Sequence, residues 1–377
     1  MRGAGAACDD PRMTSAQIIV LATPIFLAAI AFEWWLGRRR GRDTYRASDA
    51  LSSIGLGIMS QLTGLAGQAV LLGIYVLAWE RLRIFDLSAG DWRVWVAGLV
   101  LYDFLYYWNH RLGHRVAFFW AAHVVHHQSE DYNLSTALRQ PSTYFLGNWI
   151  FYLPMALLGF PPLVYAVVAL VDLLYQFWVH TQQVGRLGWF DRWFCAPSNH
   201  RVHHAVNDRY VDRNYGGIFL VWDRLFGSYE PEHEDEPCVY GSRAPLQSWD
   251  PIRANLQVYA ALWHDSRHAR SWADKLRVWL RPPGWRPADV AERFPKPAFD
   301  IARVQRYDPP ASPQVVRVAL LVFGLLLAGT ALLLWHAHLL SGLQQAAAVA
   351  ALVAGLWWVG RLTEGRGAVP ASAQSRA

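Results

Sequence analysis

Nine of the fourteen histidines fall between positions 110 and 204, and their spacing is the first feature of this sequence that could support chemistry. Eight of them form an HxxxH pattern at His110 and His114, an HxxHH pattern at His123, His126 and His127, and a second HxxHH pattern at His200, His203 and His204. Side chains three or four positions apart lie on one side of a helix. Each cluster is therefore predicted to present its imidazoles together.

A set of imidazoles this dense predicts a metal site. Protonated rings would repel one another, and neutral rings near a membrane would leave lone pairs unsatisfied, whereas metal ions use those lone pairs. The ninth histidine, His180, follows an apolar run at the depth of the clusters and is expected to be a further ligand. Structural zinc takes about four ligands and catalytic zinc about three from the protein, so eight or nine nitrogen donors indicate two ions.

The ligand type leaves the metal open, because imidazole binds Fe, Zn, Cu and Ni. The site is expected to hold several ions, to open towards lipid and to lack a carboxylate-rich bundle. These features favour two Fe ions that activate O2 for the oxidation of a lipid chain. A membrane metal transporter or sensor is the alternative from another class, but its ligands would lie along a path near the middle of the bilayer. A bis-histidine haem protein would need single facing histidines rather than helical clusters.

Polar residues near the clusters are candidates for contacts with the ligands or the substrate. Glu130, Asp131 and Asn133 follow the second cluster and are expected to orient imidazole N–H groups or to line the substrate entrance; an ordinary polar loop is the alternative. Asp103 and Asp172 lie in apolar runs, where ionisable residues are functional candidates by default. Each of these two carboxylates is expected to partner a ligand.

Four further residues complete the candidate site. Arg139 and Gln140 either hold a lipid head group or are ordinary exposed polar residues. Asn214 and Tyr215 begin a turn-like element, and the two glycines that follow are expected to permit close backbone approach. Tyr215 either touches the substrate or has a structural role.

The elements that must position these residues are predicted to be membrane helices. Of the 377 residues, 53% are hydrophobic and 17% are charged, against about a quarter charged in soluble domains, and the 20 Trp residues favour membrane interfaces. The net charge of +6 comes from arginines that flank apolar runs, which argues against nucleic-acid binding. The three cysteines, Cys8, Cys195 and Cys238, form neither a disulfide framework nor a CxxC pair.

The apolar runs define the predicted spans, since a helix of about 20 apolar residues crosses a bilayer. They cover residues 18–36, 51–79, 94–108, 315–334 and 343–359, together with a long run at 144–179 that Gly159, Pro161 and Pro162 interrupt. The interruption predicts two tightly connected helices that enter the bilayer and return. The segment 255–280 is expected to be helical, and either to lie on the membrane surface or to pack on the catalytic core.

These runs divide the chain into predicted regions. They are N-terminal transmembrane helices (1–91), a catalytic domain with the histidine clusters (92–290), a linker (291–314), a C-terminal transmembrane pair (315–361) and a disordered tail (362–377). The fold is expected to be an all-α integral membrane protein, with a transmembrane hairpin and a cytosolic helical cap that carries a histidine-rich site for two metals.

Charge predicts the orientation of the chain. Four arginines at positions 38–42 follow the first apolar run, and cytoplasmic flanks of membrane helices collect Lys and Arg. This places the N-terminus outside and the histidine clusters in the cytoplasm. Arg81, Arg83 and Arg93 would then lie outside, and His336 and His338 would lie on the side opposite to the clusters, which excludes these two from the site.

The histidine clusters between apolar hairpins resemble the histidine boxes of the fatty acid hydroxylase and sterol desaturase superfamily of membrane di-iron enzymes. Four segments, "HHQSEDYNLSTALRQ" (126–140), "LLYQFWVHTQ" (173–182), "PSNHRVHH" (197–204) and "DRNYGGIFLVWDRLFGSYEPE" (212–232), are similar in particular to its alkylglycerol monooxygenase family. The resemblance covers roughly residues 15–360.

This resemblance implies a monooxygenase that uses O2 to hydroxylate the ether-linked carbon of alkylglycerol lipids. It also implies an external electron donor, either tetrahydrobiopterin or a redox protein. Fatty acid or sterol hydroxylation or desaturation, which the same irons would serve, is the alternative within the superfamily.

Overall fold

The computed structural model describes residues 15–365, whose regular elements are helices and two isolated β-bridges, Phe194–Phe219 and Ala205–Tyr240. The α-helices are α1 (Ser15–Arg39), α2 (Ala47–Leu82), α3 (Trp92–Arg115), α4 (Ala117–His127), α5 (Leu134–Ala137), α6 (Leu153–Leu157), α7 (Pro162–Trp178), α8 (Pro197–His204), α9 (Val221–Leu225), α10 (Pro251–His268), α11 (Trp272–Leu280), α12 (Ala288–Arg293), α13 (Pro313–His336) and α14 (Gly342–Thr363). The predicted all-α class is confirmed. Cys8 and most of the predicted tail, residues 366–377, lie outside the described residues.

Among the described residues, three helices are long and apolar enough to cross a membrane: Ala16–Arg39, Pro313–Leu339 and Gly342–Thr363. Their apolar windows are only 6–28% buried within the protein, as expected for helices that face lipid. α2 adds a fourth candidate, although its halves Ala47–Leu65 and Val70–Leu82 meet at an angle of 54°. The first, second and two C-terminal apolar runs therefore correspond to these helices.

The predicted third crossing does not form a candidate span. Residues 94–108 lie within α3, where Asp103 interrupts the apolar run and Asn109 and His110 end it. The run does not have the uninterrupted apolar length that a crossing needs.

The run at 144–179 forms a hairpin, but only its second arm, α7, is a long helix. The first arm consists of two 3₁₀ turns and the short α6, because Gly147 and Pro154 both disfavour a helix interior. At the tip, Gly159 has a φ of +93° and its Cβ would collide with the carbonyl of Phe85. The side chain of Trp79 donates to the Gly159 carbonyl at 3.1 Å, which fixes the tip at the far end of α2.

The end of α1, the start of α2, the segment before α13 and the end of α14 gather beneath the cap. We define the cap as residues 117–140 and 181–306. Arg40 at the end of α1 donates to the Gln183 carbonyl at 2.9 Å. Arg46, just before α2, donates to the Tyr307 carbonyl at 2.8 Å, in the segment that leads into α13. The backbone N–H of Trp249 donates to Glu364 after α14 at 2.6 Å.

The segment 255–280 forms two helices, α10 and α11, rather than one. Leu262 and Val278 pack against Ala117 and Ala121 of α4, and the N–H of Ala117 donates to the Arg281 carbonyl at 3.0 Å. The pair is thereby attached to the helix that carries the second histidine cluster. This agrees with the prediction that the segment packs on the catalytic core.

Candidate metal centre

The nine histidines of the sequence pattern lie together in two neighbouring groups. Within each group the candidate ligand nitrogens lie within 4.8 Å of one another. The first group contains His110, His114, His123, His127 and His203, and the second contains His126, His180, His200 and His204. All nine side chains are buried, with exposed fractions between 2% and 8%.

Each HxxHH cluster divides its histidines between the two groups. On α4, His123 and His127 belong to the first group, whereas His126 belongs to the second. On α8, His200 and His204 belong to the second group and His203 to the first. Successive helix positions differ by roughly 100°, so the middle histidine of each cluster turns towards the neighbouring group.

Main-chain carbonyls orient four of the rings by accepting a hydrogen bond from Nδ1. The pairs are His110 with Tyr215 (2.8 Å), His126 with Arg139 (2.9 Å), His180 with Gln176 (2.7 Å) and His203 with Arg213 (2.9 Å). A carbonyl oxygen can only accept, so each of these Nδ1 atoms carries the proton. The neutral ring then has its lone pair on Nε2.

These Nε2 lone pairs are directed at one another inside the protein. His126 Nε2 lies 3.1 Å from His180 Nε2, and neither atom has a proton to share because both rings donate through Nδ1. The Nε2 atoms of His114 and His203 are buried and find no hydrogen-bond partner within residues 15–365. Lone pairs at this separation repel, and a cation between them removes the repulsion, so the residues present fit metal ions bound through Nε2.

Burial keeps the rings in the neutral form that ligates metals. Desolvation lowers the pKa of His126 to about 4. It also holds the pKa of His123, His127 and His203 well below the usual value, and neighbouring imidazoles add to the effect. Metal ligation requires neutral imidazole, and neither group contains a carboxylate that would offset the charge of a bound ion.

The two carboxylates expected to partner ligands bind other groups. Asp103 accepts hydrogen bonds from the N–H of Ile218 at 2.6 Å and from Trp222 Nε1 at 2.7 Å. Asp172 accepts from the side chain of Gln176 at 2.5 Å, and it reaches a histidine only indirectly, because the carbonyl of that glutamine accepts from His180.

Glu130 and Asp131 bind a cation and a backbone group rather than imidazoles. Asp131 accepts from the backbone N–H and from Nε of Arg46, both at 3.0 Å. Glu130 accepts from the N–H of Tyr307 at 2.6 Å. Asn133 caps α5 and donates to the Thr44 carbonyl at 2.7 Å. The polar stretch therefore connects the second histidine cluster to α2 and to the segment before α13.

The side chains of Arg139 and Gln140 make hydrogen bonds within the protein. The Arg139 side chain is 1% exposed and donates to the Val125 carbonyl at 2.8 Å and to Ser52 at 3.2 Å, so its charge is enclosed by protein. Its contribution to the site is the main-chain carbonyl that orients His126. Gln140 donates locally to the Ala137 carbonyl at 3.0 Å.

Asn214 and Tyr215 make hydrogen bonds that hold the segment after the third histidine cluster. Asn214, in the left-handed region at φ 54°, donates to the carbonyls of Asn199 and Glu230 at 3.0 and 2.7 Å. The N–H of Tyr215 donates to Asp223 at 2.8 Å, which holds the carbonyl that orients His110. Burial raises the pKa of Asp223 to about 6, although its hydrogen bonds oppose the shift. The glycines after Tyr215 allow close approach, as expected.

Sequence reasoning missed several groups that face the Nδ1 atoms. Tyr144 Oη lies 3.4 Å from His123 Nδ1, Asp212 Oδ1 lies 3.7 Å from His114 Nδ1, and Cys195 Sγ lies 4.0 Å from His200 Nδ1. Gln176 and Arg213 orient histidines through their main-chain carbonyls. Every residue has such a carbonyl, so the residue type does not predict this role. Asp212 opens the quoted segment 212–232, and that proximity to the third cluster was an available signal.

Comparison with known proteins adds an independent line of evidence. Residues 95–228 match the family model for fatty acid hydroxylase. The chain is 40% identical over 270 residues to the human protein named alkylglycerol monooxygenase, which covers 71% of this chain and 59% of that protein. The match to the Danio rerio protein of the same name is 38% over 316 residues, with 81% and 68% covered. No solved structure gave a significant match.

A further relative, matched over a shorter stretch, is also named as a lipid hydroxylase. Ornithine lipid hydroxylase OlsE of Rhizobium tropici is 29% identical over 135 residues, which is 36% of this chain and 41% of that protein.

Proposed function

This chain, with its fatty acid hydroxylase domain, belongs to the alkylglycerol monooxygenase family, and from that premise we propose that it is a di-iron monooxygenase that hydroxylates the ether-linked carbon of alkylglycerol lipids. It is an integral membrane protein, so a lipid reaches it from the bilayer. The observation that carries the proposal is the pair of facing Nε2 lone pairs on His126 and His180, within a set of nine buried histidines.

We assign all nine histidines as ligands of two iron ions, one held by the group of five and one by the group of four. When bound, the two irons would supply the activation of O2 that a hydroxylation requires. Overall, one oxygen atom enters the C–H bond beside the ether oxygen and the other leaves as water. This balance takes two electrons and two protons from an external donor, either tetrahydrobiopterin or a redox protein.

The residues of the chain provide orientation and exclude water. Because the carbonyls of Arg139 and Gln176 accept from His126 and His180, both rings keep their Nε2 atoms directed inwards. Such contacts fix the tautomer and raise the basicity of a ligating imidazole. Burial of every ring keeps bulk water from the region in which a lipid carbon would react.

We further propose that the site faces the cytoplasm. The arginine block at the end of α1 lies beneath the cap, because Arg40 contacts Gln183, and basic flanks of spans are cytoplasmic. On the far side, Arg83 and Arg93 form ion pairs with Asp86 and Asp91 at 2.9 and 3.0 Å, which reduces their bias against that orientation. Residues 92–290 would then be the catalytic domain and residues 315–361 a separate transmembrane pair.

An assay under labelled oxygen tests this function. The full-length, iron-loaded protein in nanodiscs is given an alkylglycerol lipid, ¹⁸O₂ and a reduced pterin, and the expected result is fatty aldehyde together with glycerol lipid that has lost its alkyl chain. The ester-linked analogue is the matched control and should remain intact. An alkene without label would indicate desaturation instead, and no labelled lipid with several donors would refute the oxygenase assignment.

A further inference from the structure

The outward face of α11 is apolar although the helix packs on the cap by its opposite face. Trp272, Leu276 and Leu280 lie four positions apart and have exposed fractions of 81%, 67% and 67%. Val278, on the other side of the helix, is 1% exposed and packs against α4. A helix on the surface of a soluble domain normally directs polar residues outwards. The apolar outward face of α11 therefore indicates contact with an apolar partner.

The neighbouring helix carries a second exposed apolar row. Ile252, Leu256 and Trp263 of α10 share one helix face and have exposed fractions of 40%, 50% and 62%. α10 and α11 are in contact with each other. The rows on α10 and α11 together form a large exposed apolar patch. Such patches mark sites of interaction with proteins or membranes.

Basic residues border the row on α11. Lys275 and Arg277 precede and follow Leu276, which places them roughly 100° to either side of it. The Lys275 ammonium lies 5.0 Å from the Trp272 ring centre. Residues 267–281 contain five basic residues (Arg267, Arg270, Lys275, Arg277 and Arg281) and one acidic residue (Asp274), which gives a net charge of +4. This charge complements anionic lipid head groups.

The position of α10 fixes the level of the pair relative to the bilayer. Asp250, at the N-terminus of α10, accepts from Trp357 Nε1 of α14 at 3.0 Å. Ser248 donates to Glu364, directly after α14, at 2.6 Å. Since α14 is a candidate membrane span, its end lies at the bilayer surface, and Ile252 follows within the first turn of α10.

We infer that the α10–α11 pair is embedded in the membrane interface, with its apolar rows in the outer acyl region and its basic borders among anionic lipid head groups. This attachment is additional to the spanning helices and does not depend on the proposed activity. The N–H of Ala117, at the start of α4, donates to the Arg281 carbonyl directly after α11. The membrane attachment of the α10–α11 pair therefore holds α4, which carries three of the histidines, beside the bilayer surface.

Site-directed spin labelling of the full-length protein in nanodiscs tests the inference. Labels are introduced as Leu276→Cys and, as a matched control, Glu234→Cys, whose side chain is 92% exposed in the cap. Cys8 and Cys238 are replaced by Ser, and Cys195 is buried. Collision with O2, which partitions into acyl chains, is compared with collision with a water-soluble nickel complex.

The expected ratio of O2 to nickel collisions is several-fold higher at position 276 than at position 234. A ratio at 276 equal to that at 234 would show a water-exposed surface, and protection from both reagents would show contact with protein; either result overturns the inference. Adding phosphatidylglycerol to phosphatidylcholine discs should increase the depth at 276, and the double variant K275E/R277E should lose that increase. Equal depth in both lipids would refute the role of the basic borders.

Discussion

The carboxylates of Asp103 and Asp172 approach each other across Gly217. A Cβ atom on this glycine would lie 3.1 Å from Asp103 Oδ1 and 2.5 Å from Asp172 Oδ1, so these two oxygens lie close together. Both aspartates come from long apolar helices, and Gly217 comes from the segment that orients His110. The contact therefore joins α3, α7 and the segment after the third histidine cluster.

Replacement of this glycine should be costly because both aspartates beside it are buried and Asp103 is held by hydrogen bonds from Ile218 and Trp222. We expect Gly217→Ala to destabilise the protein by about 1–3 kcal/mol, as overpacking of a filled interior does, and to lower the thermal unfolding midpoint. Gly185→Ala is the control, since a Cβ at that position meets no atom within 4 Å. Equal midpoints for the two variants would contradict the close packing.

Removal of one ligand from the smaller group should empty that group of metal. His126→Ala leaves three imidazoles in it, and we expect the iron content of the purified protein to fall by about half. His338→Ala, at an exposed position, should retain the full content, as measured by elemental analysis. Unchanged iron in the His126 variant would refute its assignment as a ligand.

The side chain and the main-chain carbonyl of Arg139 have different roles, which a substitution can distinguish. In Arg139→Met the carbonyl that accepts from His126 remains, but the buried guanidinium no longer donates to the Val125 carbonyl, which keeps only the N–H of Gln128 at 3.4 Å. Hydrogen bonds to charged groups contribute about 1.5–3 kcal/mol, so denaturant unfolding should show a loss of this size while the iron content stays close to that of the unchanged protein. Gln140→Ala is the control with a small effect. A large increase in KM for the lipid, with stability unchanged, would instead support a head-group site.

Asp223 should make stability depend on pH in a defined direction. Its pKa is raised to about 6 in the folded protein, above the ordinary value of 3.8, so the folded state binds more protons between these two pH values. Stability from this group is therefore fully present below pH 3.8 and is lost as the pH rises through about 6. Asp223→Asn should be less stable overall, because it cannot accept both backbone hydrogen bonds, but should lack this slope. Parallel pH profiles of unfolding would contradict the assignment.

The sequence alone was sufficient for whatever depends on local spacing. Two HxxHH clusters and one HxxxH cluster predict imidazoles on helices, and apolar runs of sufficient length predict the spans that α1, α13 and α14 form. Both patterns follow from helix periodicity and the thickness of the bilayer, so neither requires knowledge of the fold. The family resemblance likewise rests on contiguous segments.

Only the tertiary structure decided how the histidines are distributed and what orients them. Residues on one helix, such as His123 and His126, serve different groups because their directions differ, and the partners that complete each group come from distant helices. The Tyr215 carbonyl that accepts from His110 lies 105 positions away in the chain, and a carbonyl leaves no mark in residue type. Arg139 and Glu130 look like residues of a polar loop in the sequence, but packing encloses the first and joins the second to Tyr307. Such relationships depend on which surfaces meet when the helices pack, and local periodicity does not encode that.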